Sequence, residues 1–163
     1  MSELRRARED EWAAVGRLTA GAYLADGAME ADDPYYDVLR DAASRAREAD
    51  LWVAVDEHDE LLGTVTWCPP GSTYRELAGS DESEFRTLAV APAGRGQGVG
   101  EALVRHCLQL ATEAGSRSVV ISTAQWMTTA HRLYRRLGFD RAPERDWWPR
   151  PDVRLLAMVR PLP

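Results

Sequence analysis

Residues 84–114 constrain the fold more than any other stretch. EFRTLAV, APAGRGQGVG and EALVRHCLQLATEA read in turn as a strand, a glycine-rich turn and a helix. Glu84, Arg86, Leu88 and Val90 alternate with Phe85, Thr87 and Ala89, the period-2 pattern of a strand. Pro92 ends that strand, because it has no N–H to give to a ladder. Beyond the turn, Leu103, Val104, Cys107, Leu108, Ala111 and Ala114 recur at helical spacing. Gly115 stands where a helix-ending glycine is expected.

The turn carries the chemistry. Gly94, Gly96, Gly98 and Gly100 fall at alternate positions just ahead of the helix. Glycine lets the backbone approach a ligand closely, and the first N–H groups of a helix have no internal partner. With the positive end of the helix dipole, those donors suit a phosphate or pyrophosphate. Arg95 adds a charged fork. A nucleotide P-loop is excluded, since Gly100 is followed by Glu101 and Ala102 instead of Lys and Ser/Thr. A dinucleotide fingerprint is excluded too, since Gly94 and Gly96 would require glycine at Val99. The spacing that fits is R-x-x-G-x-G, as Arg95, Gly98 and Gly100. With Leu88, Ala89 and Val90 ahead of it, the run resembles the acetyl-CoA signature of the GNAT superfamily of N-acetyltransferases. A merely flexible run of small residues is the alternative; strand, turn and helix all agreeing with the motif weighs against it.

At 163 residues the chain is expected to be a single domain, 1–163, long enough to bury a core. The net charge of −6 makes a nucleic-acid backbone a poor partner. No apolar run approaches the roughly 18 residues of a membrane helix. MSELRRARED lacks the apolar core of a signal peptide, so a cytoplasmic protein is expected, with no membrane partner. Cys68 and Cys107 lack metal or redox spacing and read as core residues. His58, His106 and His131 are scattered, so no metal site is expected, and His131 is placed on the outer face of its helix.

Taken in order, Leu4 to Arg8 reads as a first strand. Asp10 reads as the N-cap of a helix with Trp12, Val15, Leu18 and Ala22 inward. Residues 21–33 read as a loop. Pro34 opens a second helix running to about Ala49, with Val38, Leu39, Ala42, Ala46 and Ala49 inward. LWVAV (51–55) and LLGTVTW (61–67) read as a hairpin, and 71–83 as a polar loop. After the central unit, SVVIST (118–123) is a strand completing a β-α-β crossover. A short helix then presents Ala130, Leu133, Tyr134 and Leu137 and ends at Gly138. Short strands at Phe139 and at 153–159 close the chain.

The fold class is α/β (α+β), in the order β-α-α-β-β-β-α-β-α-β-β. That order is similar to the GNAT fold, a mixed, bent central sheet flanked by helices. LYRRLGF adds to the resemblance: Ala130, Leu133, Tyr134, Gly138 and Phe139 match the family's A-x-x-L-Y-x-x-x-G-F. Many relatives carry an asparagine three residues before that alanine, where this chain has Met127.

The resemblance implies acetyl-CoA as cosubstrate. Backbone groups of Leu88, Ala89 and Val90 would bond its pantetheine arm, and the turn of Arg95, Gly96, Gln97, Gly98, Val99 and Gly100 would hold its pyrophosphate. An amine acceptor would attack directly, without a nucleophilic Ser or Cys. A free alkylamine, with a pKa near ~10.4, must first lose a proton. Glu84 falls where a catalytic glutamate stands in part of the family and is the candidate base, with Glu82 as substitute; an ordinary strand-end acid is the alternative. Tyr134 matches the tyrosine that many relatives use to protonate the departing thiolate. On the acceptor side, family analogy points to Asp32, Asp33, Asp37, Tyr35 and Tyr36, and to Trp147 and Trp148. Acids with aromatic faces suit an ammonium group, so a cationic acceptor is expected there; an ordinary acidic surface with edge tryptophans is the alternative. A non-catalytic acetyl-CoA sensor or scaffold stays open as a second class, as does a homodimer.

Overall fold

The computed structural model describes residues 2–27 and 30–163. Its centre is an eight-stranded sheet in the order β1-β2-β3-β4-β5-β8-β6, with β7 paired to β8. The strands are β1 (Glu3–Arg6), β2 (Asp50–Val55), β3 (Leu61–Cys68), β4 (Glu82–Val90), β5 (Ser118–Ala124), β6 (Asp140–Arg141), β7 (Trp147–Arg150) and β8 (Val153–Pro161). Among the described residues only β4 and β5 run parallel. They are joined by the long helix α4 (Val99–Glu113), as a right-handed crossover requires. The mixed sheet and the central strand–turn–helix agree with the sequence reading.

Helices cover both faces. On one, Leu103, Val104, Cys107 and Ala111 of α4 are fully buried among Val65, Phe85, Val119 and Ile121, together with Tyr134 and Leu137 from the end of α5 (Thr128–Arg136). On the other, Val15 of α1 (Trp12–Ala25) and Ala42 of α3 (Ala42–Glu48) pack on Leu51, Val53 and Val55. The alternation of β2 serves both layers, with Trp52 and Ala54 turned to the α4 side.

Several boundaries differ from expectation, each for a local reason. The first strand stops at Arg6, and a 3-10 turn at Glu9–Glu11 precedes α1. Arg8 caps that turn, its N–H donating to Glu11 Oε2 at 2.7 Å, and Glu11 stands at the N-cap position of α1; Asp10 is not the cap. Helix α1 continues through the expected loop to Ala25. Ala28 and Met29, within that expected loop, lie outside the described residues. The single helix expected over 34–49 is two: α2 (Tyr35–Arg40) and α3. Asp41 divides them, its Oδ1 accepting from the Ser44 N–H at 3.1 Å as the N-cap of α3. Arg45 then donates to the Leu39 carbonyl, which the break leaves open, and to the Val38 carbonyl, which also accepts from the Asp41 N–H. Val38, expected inward, is 48% exposed. His131, expected outward, is buried, with Nε2 2.9 Å from the Ala124 carbonyl.

An ion pair holds the 143–145 turn to the start of β4. Glu82 accepts from Arg145 at 2.8 and 3.0 Å, from Ser118 Oγ at 2.9 Å and from the Gly79 N–H at 3.0 Å. The Arg145 guanidinium, helped by Gly79 and Ser118 and opposed by burial, brings the Glu82 carboxyl down to about 2. Its native pKa therefore lies below the ~4.3 of an unfolded glutamate. The stability it adds is complete above that unfolded value and is lost as pH falls through about 2. The contribution is at most on the order of 3 kcal/mol, since solvent screens part of the attraction. Denaturant unfolding should show Glu82→Gln less stable than wild type at pH 7, with the gap closing towards pH 2. A gap independent of pH would show that the ion pair is not what stabilises this corner.

Candidate active site

The sheet opens at its one parallel seam. β4 and β5 pair only at Glu82/Ser118, Ser83/Val119 and Glu84/Val120. Beyond that, β4 follows β3 and β5 follows β8. A bulge drives the parting: Thr66 faces Arg86 and Thr64 faces Ala89, so Val65 alone stands opposite Thr87 and Leu88. Thr87 sits at φ 58°, in the left-handed region. For a β-branched residue that conformation costs on the order of 1–3 kcal/mol, and such strain collects at functional sites. Leu88, Ala89 and Val90 are thereby left with no strand partner on the β5 side.

The glycine turn lies at the far end of β4, after a 3-10 turn at Pro92–Gly94. Its glycines answer different demands. Gly96 and Gly98 adopt φ of +72° and +75°, and Gly98 is the residue from which α4 starts. Gly94 and Gly100 are close-packed: a Cβ would come within 2.6 Å of the Leu62 carbonyl and 3.3 Å of the Leu133 side chain. The first backbone bond into the helix runs from Ala102 N–H to the Gly98 carbonyl. Among the described residues, the N–H groups of Gly96, Gln97, Gly98, Val99 and Gly100 have no acceptor. A side chain at Gly98 would project into open space over this cluster of donors. Arg95 stands half-exposed at its edge, 3.8 Å from Asp26. Unsatisfied donors, an open approach and the helix dipole fit the diphosphate of a coenzyme.

Tyr134 faces the other end of the opening. With Phe85, Leu88, Ile121 and Met127 it lines a recess of about 20 Å³ between β4 and β5. Its ring packs against Phe139 and Phe85, with centroids 5.7 and 6.1 Å apart. Burial pushes the phenol pKa up, so the hydroxyl keeps its proton through the neutral range.

The recess shares Tyr23, Arg86, Thr87, Ser122, Thr123 and Met127 with a cleft of about 500 Å³. Asp33, Pro34, Tyr35 and Val38 form one side of the cleft. Trp126 and the β7–β8 hairpin, through Pro149, Arg150, Asp152, Val153 and Leu155, form the other. Asp33 joins the two sides, its Oδ1 and Oδ2 accepting from Arg150 at 3.3 and 3.5 Å. The Tyr35 N–H and then Arg150 lower the Asp33 carboxyl pKa.

Of the acceptor residues expected from sequence, Asp33 and Tyr35 are in the cleft wall; Asp32, Tyr36, Trp147 and Trp148 are not. Tyr36 lies under Arg40 and Trp148 under Arg154, at 6.0 and 5.5 Å. Trp147 donates from Nε1 to Ser122 Oγ at 3.0 Å, pinning β7 to β5. Glu84 is also placed differently from a base that meets the acceptor. It is fully buried and outside the cleft wall, and its Oε1 accepts from the N–H groups of Glu76, Leu77 and Ala78 at 2.9–3.0 Å. Glu82 is consumed by Arg145. The wall residues missed from sequence, chiefly Tyr23, Arg86, Trp126 and Leu155, carry no motif.

Both cysteines are buried, and burial drives the Cys68 thiol up to about 12 and the Cys107 thiol higher still. Neither is an activated nucleophile. Among the described residues there is no group of three or more His, Cys, Asp or Glu that could hold a metal ion. None of the described helices is long and apolar enough to cross a membrane.

The open, mostly antiparallel sheet with a single parallel seam parting beside a glycine turn defines a GNAT-type fold. The chain belongs to the Acetyltransferase (GNAT) family, whose sequence profile matches residues 11–139. It is 32% identical over 141 residues to the mycothiol acetyltransferase of Cellulomonas flavigena, covering 82% of this chain and 38% of that protein. It is 33% identical over 125 residues to N-acetyltransferase 8 of Rattus norvegicus, covering 72% and 52%. The chain thus spans about half or less of the length of these relatives. Among solved structures, an acetyltransferase of the GNAT family from Staphylococcus aureus superposes with a TM-score of 0.77 at 14% identity, with 100% of both chains covered. A GCN5-related N-acetyltransferase from Kribbella flavida superposes with a TM-score of 0.71 at 27% identity, covering 99% and 98%.

Proposed function

We propose that this protein transfers the acetyl group of acetyl-CoA to the nitrogen of an amine. The observation that carries the reading is the parting of β4 from β5 after Glu84, with the donor-rich turn at one end and the Tyr134 recess at the other. One sheet running from Glu3 to Pro161 supports treating residues 1–163 as one acetyltransferase domain. Family membership implies acetyl-CoA as the cosubstrate, and it supplies an activated acyl group as a thioester.

The residues divide the work by position. N–H groups from Gly96 to Gly100 neutralise the pyrophosphate, while Leu88, Ala89 and Val90 offer unpaired backbone groups to the arm. An N–H on the free edge near Val90 serves the carbonyl oxygen as negative charge develops there. The acceptor nitrogen comes from the cleft, through the wall that cleft and recess share. As the nitrogen bonds to the acyl carbon and the carbon–sulfur bond breaks, Tyr134 passes its proton to the sulfur. The second proton shed by the nitrogen restores Tyr134 through water, and the first, lost before attack, leaves to water in the cleft.

Glu84 is assigned to holding the 76–78 loop against β4 and not to taking that proton. Glu84→Gln should lower stability by about 1–3 kcal/mol, since charge-assisted bonds to three N–H groups are weakened. The acid limb of the kcat/KM profile should stay where it is. Disappearance of that limb in the variant would make Glu84 the base.

Direct attack predicts that free thiol appears only when acetyl-CoA and amine are both present. A burst of one thiol per protein from acetyl-CoA alone would indicate an acetyl-enzyme and contradict the reading.

A further inference from the structure

The charges around the cleft favour an acceptor that itself carries an anion. Asp33, the acid that chain order places beside the cleft, already faces Arg150 across its mouth and offers little to a second cation. Arg86, on the β4 wall next to the Thr87 bulge, commits only Nη1: it donates to the Tyr74 carbonyl at 3.2 Å and lies 3.5 Å from Glu76. Its Nε and Nη2 have no acceptor among the described residues. Arg45 is 2% exposed and donates only to the carbonyls of Val38, which lines the cleft, and of Leu39, which does not. No carboxylate lies within 4.0 Å of it among the described residues. In the cleft wall itself, Arg86 thus keeps two N–H-bearing nitrogens of its guanidinium without an acceptor among the described residues. Asp152 is also in the wall, so an acceptor carrying both an ammonium and a carboxylate matches this mixed lining better than a cation alone.

Apolar side chains make up much of the remaining wall, beside the hydroxyls of Thr87, Ser122 and Thr123. Val38 and Trp126 are 48% and 43% exposed, two of the few large apolar side chains left open to solvent, and both stand at this cleft. Leu155 and Val153 lie on the hairpin side. A volume of about 500 Å³ fits a small molecule with most of its surface enclosed.

We infer that the acceptor is an apolar α-amino acid, with its carboxylate on Arg86 and its side chain between Val38, Trp126 and Leu155. This deepens the acetyltransferase reading and rests on it. The spacing agrees. Arg86 precedes Leu88 by two residues, roughly 7 Å along a strand. An α-amino acid keeps nitrogen and carboxylate on one carbon, so anchoring the second at Arg86 holds the first near the bulge.

The test compares three acceptors that share one ring: phenylalanine, phenylalanine amide and 2-phenylethylamine, each with acetyl-CoA. Phenylalanine should exceed both others in kcat/KM by roughly 10- to 100-fold, the range of a charge-assisted contact. Arg86→Gln should erase that preference, cutting kcat/KM for phenylalanine roughly 10- to 100-fold more than kcat/KM for 2-phenylethylamine. Arg86→Lys should restore part of it, which separates lost charge from lost folding. Equal or better use of the amide or the amine by the wild type would overturn the inference while leaving acetyl transfer intact. Turnover of none of a broad amine panel, with no thermal shift by coenzyme A, would overturn both.

Discussion

Tyr134→Phe is expected to lower kcat by roughly 10²- to 10⁴-fold while leaving coenzyme binding unchanged. The substitution keeps the ring against Phe85 and Phe139, so the core loses no volume, and removes only the hydroxyl at the recess. Burial keeps that hydroxyl protonated, the form an acid must have. A thiolate leaves moderately well without help, which places the loss near the lower end. Single-turnover measurements isolate the step, because slow product release would otherwise mask it. A variant with wild-type kcat on its best acceptor would remove Tyr134 from the mechanism.

Gly98→Glu is expected to abolish stabilisation by coenzyme A. A ligand that binds only the native state, present at a hundred times its Kd, adds about 2.7 kcal/mol. In wild type a thermal-shift titration should show a rise of that order. In the variant a side chain would occupy the open space above the donors of α4, and its charge would oppose the pyrophosphate. The φ of +75° at this position also disfavours any side chain, by about 1–2 kcal/mol, so the ligand-free protein should melt lower too. The informative quantity is therefore the difference between liganded and free protein. An equal coenzyme shift in both proteins would place the phosphate site elsewhere.

The coenzyme side was readable in the sequence because its demands are local. Gly96 and Gly98 are required by their own backbone angles, and α4 starts where the spacing of its apolar residues begins. The break at Asp41 had a local signal too, an N-cap acid inside a helical run, which one continuous apolar stripe obscured. The acceptor cleft had no such signal. Its walls come from α1, α2, β4, β5 and the β7–β8 hairpin, and the Arg150 that engages Asp33 is 117 residues away. Strand alternation gave the face of Glu84, but nothing near it in sequence showed that residues 76–78 fold back to cover it. The tryptophans were misplaced for a related reason. β7 was unread as a strand, so Trp147 and Trp148 could not be divided between its two faces.

Transfer of a deuterated acetyl group is the most direct measurement of the central claim. The protein is mixed with acetyl-CoA labelled in the acetyl methyl group and with a panel of amines, and small molecules and protein are both weighed by mass spectrometry. The account predicts label on the nitrogen of an amine, one free coenzyme A thiol for each labelled product, and no label retained on the protein. Thiol released without labelled amine, or label accumulating on a side chain of the protein, would contradict it.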